Sequence, residues 1–285
     1  MSRKSTGSRK RRKSSKKRAR ALPRILPAKP ARRRLWRRFR SASMPAQIFG
    51  GLAICALLWL ASNWIYQVAR KPSELFFPVS GVLNKTPPET WRQYSRLFRK
   101  YSTSTITPEF LAAIAQVEAS GNPIVRTYWR WSWGSSPFEI YRPASSAVGM
   151  YQITDGTFAE ARHYCIHGHV VVEDGPWNEW HSCWFTSLYA RVIPADAVEL
   201  TSADLDRHVV AILQRHRIAG TSTAQKLNLA ALIHLCGAGA GDEYARRGLR
   251  LLDGQRCGDH LASGYVERVA SMERQFSRLA AQAGD

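Results

Sequence analysis

The stretch AAIAQVEASGNP, residues 112–123, decides how the chain is read. Thr107-Pro108-Glu109 just before it opens a helix, with Thr as N-cap and Pro at the first helical position. Gly121-Asn122-Pro123 closes that helix after about Ala119. Leu111, Ile114 and Glu118 then stand at i, i+3 and i+7 and share one face. A glutamate in line with an apolar stripe either reaches past it to water or is held out of water, where its charge is costly unless paired or protonated. A carboxyl held that way keeps a proton to deliver. The neighbouring motifs decide between the two.

Around this helix the periodicity predicts a mainly α-helical body over residues 106–285. Further helices are expected near 154–165, 186–193, 202–217, 223–236, 239–252 and 259–282. Val209, Ile212, Leu213 and His216 repeat at helical spacing, as do Leu227, Ala230, Ala231 and Leu235. Strand signals are few, and residues 121–148 read as irregular.

The net charge of +21 suggests nucleic-acid binding until it is located. Of 42 Lys and Arg, 19 lie in residues 1–40, which hold no Asp or Glu. The rest of the chain sets 23 basic against 21 acidic residues and is nearly neutral. The tail reads as self-repelling and disordered. It is expected to meet anionic lipid, with nucleic acid as the alternative.

Residues 41–69 carry no charge. Their apolar run exceeds the about 20 residues a helix needs to cross hydrocarbon, and Trp59, Trp64 and Tyr66 crowd its later half. An uncleaved anchor is expected, with the basic N-terminus cytoplasmic and everything after residue 70 outside the inner membrane, in a periplasm. Cys55 within LAIC imitates a lipid-attachment box, but Ile54 fits it poorly and the Cys lies mid-run. Residues 70–105 read as a stalk ending in an amphipathic helix, with Trp91, Tyr94, Leu97, Phe98 and Tyr101 as its core-facing stripe.

Cys165, Cys183, Cys236 and Cys257 form an even set in the exported part, where an oxidising compartment favours bridges. Three connectivities are open. Cys165–Cys183 and Cys236–Cys257 are expected, because each pair brackets one loop. A rival reading makes His163, Cys165, His167, His169, His181 and Cys183 a zinc site, although their spacing meets the usual ligand patterns only in part. The expected assignment is no metal.

Three more blocks follow the first: SSAVGMYQIT at 145–154, AALIHLCGAGAGDEY at 230–244 and GYVERV at 264–269. With VEASGNP, in this order, they resemble the soluble-lytic-transglycosylase domain, a lysozyme-like family that cleaves peptidoglycan. The resemblance spans about 106–270 and leaves out tail and anchor. It implies a lysozyme-like helical catalytic domain in which Glu118 is the acid. By the same resemblance Ser146, Gly149, Met150, Tyr151, Gln152, His234 and Tyr265 would face the glycan. The chain departs from the family pattern at Ala119, where Ser follows the acid, and at His234 and Leu235, where Tyr and Asn are usual. His234 adds a side chain that changes charge near neutrality.

The resemblance also implies chemistry with one carboxyl group and no cofactor. Most glycosidases need two carboxylates. Here Glu139 and Asp155 are the nearest other candidates, and Asp155-Gly156 reads more simply as a turn or cap. A hydrolysing muramidase with Glu139 or Asp155 positioning water is one alternative. A weakly active wall-binding component of an envelope-spanning secretion or DNA-transfer complex is another. The Arg- and aromatic-rich segment 126–143 suits the lining of a glycan groove.

Overall fold

The computed structural model describes residues 39–285 except 72–73, 76–79, 134–135, 177, 180–181 and 285. The basic tail up to residue 38 and His181 therefore lie outside the described residues. The chain is mainly helical and divides into two compact units, residues 1–60 and 61–285.

Helix α1 (Met44–Arg70) belongs to both units. It is long and apolar enough to cross a membrane, and only 6% of its most apolar stretch is buried. That exposure distinguishes it from the core helix of a soluble protein.

The larger unit is built on α2 (Pro87–Lys100), α3 (Pro108–Ala119), α4 (Asp155–Ala161), α5 (Pro194–Arg215), α6 (Thr223–Cys236), α7 (Ala238–Arg246) and α8 (Ala262–Gln282). Three two-stranded antiparallel hairpins join them: β1 (Trp129–Trp131) with β2 (Tyr141–Pro143), β3 (Tyr164–His167) with β4 (Val170–Glu173), and β5 (Arg256–Cys257) with β6 (His260–Leu261). Helix α3 is central. Every residue from Phe110 to Ala115 is at most 1% exposed, and α8 is its most extensive partner.

The amphipathic helix assigned to a stalk is instead part of this core. Trp91, Tyr94 and Phe98 of α2 are buried, and the Trp91 ring lies 5.8 Å from Phe276 of α8. Gln116 of α3 receives a hydrogen bond from Thr90 Oγ1 at 2.7 Å and donates to the Lys85 carbonyl at 2.9 Å. Lys71 and Glu74 are buried as well, and the larger unit begins within α1.

The α3 ends behave as the sequence indicates. Thr107 Oγ1 accepts from Phe110 N at 3.2 Å, with Pro108 next to it. Ser120 and Gly121 turn left-handed, at φ 49° and 63°. A Cβ on Gly121 would lie 2.2 Å from Thr90 Oγ1, so glycine is needed there for space as well as for φ.

The expected helix at 154–165 stops at Ala161 and gives way to β3; the one at 186–193 is a single 3-10 turn, Thr186–Leu188; and α5 starts earlier than expected, at Pro194. Gly168 and His169 take φ 54° and 69°, the conformation a two-residue hairpin turn requires. Both expected disulfides are present, Cys165–Cys183 and Cys236–Cys257, with Cα separations of 5.5 and 5.4 Å. Each closes a loop that stabilises by roughly 3 kcal/mol through chain entropy. Cys55 is free and exposed.

Candidate functional site

Glu118 sits in the last turn of α3, where the buried helix reaches the surface of the core, and its side chain keeps 19% of its exposure. It is therefore neither sealed in nor free in water. Tyr265, from the first turns of α8, donates its hydroxyl proton to Glu118 Oε1 at 2.5 Å. His234, near the end of α6, brings Nε2 to 3.7 Å from the same oxygen. Among the described residues both contacts fall on Oε1, which leaves Oε2 for another group. Tyr265 is 3% exposed. Burial, and then the carboxylate beside it, push its phenol well above the ordinary range, so it stays a donor.

A cleft of 170 Å³ reaches this cluster at His234; its wall also includes Gln152, Thr154, Thr157 and Gly237, and neither Glu118 nor Tyr265 is part of it. The 145–154 segment shapes one side. Gly149 adopts φ 81°, and a Cβ there would meet the Arg191 carbonyl oxygen at 2.2 Å. Arg191 staples the segment: Nη1 donates to the carbonyls of Ser146 (3.0 Å) and Ile153 (2.8 Å), and Nη2 pairs with Asp155 at 2.7 Å. Gln152 follows in a left-handed conformation, φ 48°, its Nε2 donating to the Gly149 carbonyl at 2.9 Å.

The residues expected to face a glycan thus separate. Gln152 and His234 line the cleft and Tyr265 holds Glu118. Met150 and Tyr151 do not fit the expectation: both are 0% exposed, and the Tyr151 hydroxyl donates to the Leu111 carbonyl at 3.2 Å. They are core. Gly149 is buried and provides the turn. Ser146 works within the loop, its Oγ accepting from Asp155 N at 3.1 Å.

The other candidate carboxylates are engaged elsewhere. Asp155 pairs with Arg191, and Glu139 with Arg70 at 3.2 Å. None of the aromatic residues in 126–143 lines the cleft. The zinc reading of 163–183 is overturned, because Cys165 and Cys183 are bonded to each other. His163 pairs with Asp174 at 2.8 Å, and His169 Nδ1 lies 2.8 Å from the Ser102 carbonyl.

Two groups were not legible in the sequence. One is the Arg191 staple, a lone arginine in a loop with no periodicity to mark it. The other is Glu160, Asp204 and His208 in the cleft wall, whose ligating atoms lie within 4.8 Å of one another. The Arg207 guanidinium pairs with Glu160 and lies 3.1 Å from His208 Nε2.

No protein-family model matches the chain, and no curated protein or solved structure does either.

Proposed function

We propose that the chain is a membrane-anchored peptidoglycan lytic transglycosylase with a lysozyme-like domain on the periplasmic side of the inner membrane. The observation that carries this reading is Glu118, at the end of the central helix, gripped on one oxygen by Tyr265 and 3.7 Å from His234, which lines the cleft. Four sequence blocks resembling that family converge on the same place, which supports it further.

In this reading protonated Glu118 donates through Oε2 to the oxygen linking MurNAc to GlcNAc, and that bond breaks. The resulting carboxylate then takes the proton of the sugar's own 6-hydroxyl as O6 attacks the anomeric carbon. A 1,6-anhydro end forms, and the proton is back on Glu118. Tyr265 fixes the carboxyl orientation throughout, and Gln152 offers the cleft an amide. Helix α1 holds the enzyme at the membrane, and the basic tail adds attraction to anionic lipid.

The test is release of soluble fragments from purified peptidoglycan by the full chain and by Glu118→Gln. The proposal expects a loss of about 100-fold or more in the variant, with both proteins sedimenting with the wall. Equal release by both would remove Glu118 from the mechanism. Sedimentation without any release would favour a wall-binding component.

Hydrolysis is the second reading. Glu160 and Asp204 in the cleft wall favour it, being carboxylates able to orient water once Arg207 moves.

A further inference from the structure

The last turns of α1 do not leave the larger unit freely. Asn63 Nδ2 donates to the Tyr141 carbonyl at 2.8 Å and Gln67 Nε2 to the Phe138 carbonyl at 2.7 Å. The Tyr66 ring lies 5.3 Å from Phe138, and Arg70 pairs with Glu139. Asn63 and Gln67, polar residues in a mostly apolar helix, are 1% and 6% exposed, and both amide nitrogens donate to this hairpin. Below it, Lys71 Nζ donates to the carbonyls of Ala147 (2.9 Å) and Ser145 (3.1 Å), and it pairs with fully buried Glu74. Glu74 also receives Arg126 at 3.0 Å and the Trp129 indole at 2.8 Å.

The β1–β2 hairpin therefore runs alongside the helix from Asn63 to Arg70. That stretch covers about 10 Å of helix axis, at 1.5 Å per residue. Trp131 stands opposite Tyr141 in the register, so it lies level with Asn63 rather than with the helix end. The hairpin exposes Tyr128 (69%), Trp131 (64%) and Trp133 (95%), Arg130 is exposed between them, and the Arg142 side chain is 40% exposed. Three large aromatics interleaved with arginine, open to water and absent from the cleft, suit a surface that is apolar on one side and anionic on the other.

We infer that the β1–β2 hairpin is a second membrane contact: Tyr128, Trp131 and Trp133 sit in the headgroup layer of the bilayer that α1 crosses, with Arg130 and Arg142 on lipid phosphates. This rests on α1 being a membrane span.

The test uses the full chain in vesicles of phosphatidylethanolamine and phosphatidylglycerol, with a polarity-sensitive fluorophore on one of two cysteines. One is native Cys55, which reports the span. The other is Trp133→Cys in a Cys55→Ser background, a position too exposed to disturb folding. Spin-labelled lipids, carrying the label near the headgroup or near the chain end, and aqueous iodide serve as quenchers. The inference expects Cys55 to be quenched by the deep label, and position 133 by the shallow label with iodide largely excluded. Lipid quenching at Cys55 together with iodide quenching alone at position 133 would overturn the hairpin contact and leave the span standing. Iodide quenching at both positions would overturn the span and the inference with it.

Discussion

The Tyr265 hydroxyl donates to Glu118 Oε1 across 2.5 Å, joining residues 147 positions apart in the chain. Helix α3 supplies the carboxyl and α8 supplies its orientation, so their packing sets where the acid points. Removing the hydroxyl by Tyr265→Phe is expected to lower kcat by about tenfold to a hundredfold, the worth of one hydrogen bond to a charged group. KM should change little, because Tyr265 is buried and positions the acid without reaching the cleft. Steady-state kinetics on soluble glycan fragments would show the split. A rise in KM at constant kcat would instead make Tyr265 a substrate contact.

His234 stands where the family pattern has a tyrosine, 3.7 Å from the same oxygen. It also lines the cleft, so its side chain can reach both the acid and a bound glycan. His234→Ala removes that contact. Steady-state kinetics should show KM raised by roughly tenfold, the worth of one hydrogen bond. An unchanged KM would remove His234 from the glycan contacts.

The polar lock at the end of α1 makes a stability prediction. Burial lowers the Lys71 ammonium below its ordinary range, while Glu74 opposes that shift. Lys71→Met leaves Glu74 buried with one cationic partner fewer, at a cost of about 3 kcal/mol. Adding Glu74→Gln to that variant should recover part of the loss, since the uncompensated charge goes too. Denaturant titration of the two variants measures both effects.

Buried phenols set the alkaline limit. Burial raises Tyr151 and Tyr265 well above the usual range, and Tyr189 is raised by burial and by Glu199 beside it. In the unfolded chain these groups ionise from about pH 10. The unfolded state therefore loses protons before the native state does. Stability is complete below that pH and falls as pH rises above it. Tm measured across this range should fall, with tyrosinate absorbance appearing at unfolding and not before.

Much of the helical frame was legible because its signals are local. Thr107-Pro108 and Gly121-Asn122-Pro123 bound α3 by capping and turn chemistry, and the 223–236 periodicity matches α6 residue for residue. The two disulfides were legible because each closes a short loop. The division of the 145–154 block was not. Gly149, Met150, Tyr151 and Gln152 are adjacent in sequence, yet a left-handed turn sends two of them into the core and one to the cleft. That turn depends on Arg191, some 40 residues away, and no local pattern announces it. The stalk reading failed similarly: Lys71 and Glu74 look like solvent-facing charges until Arg126, Trp129 and the 145–147 carbonyls are brought to them.

The central claim is that Glu118 serves an intramolecular attack, and the most direct measurement follows the oxygen. Peptidoglycan is digested by the full chain in water enriched in oxygen-18, and the released ends are analysed by mass spectrometry. The expected products are 1,6-anhydro ends, one water lighter than reducing ends and free of the heavy isotope. Reducing ends carrying oxygen-18, lost in Glu118→Gln, would contradict it and establish hydrolysis in its place.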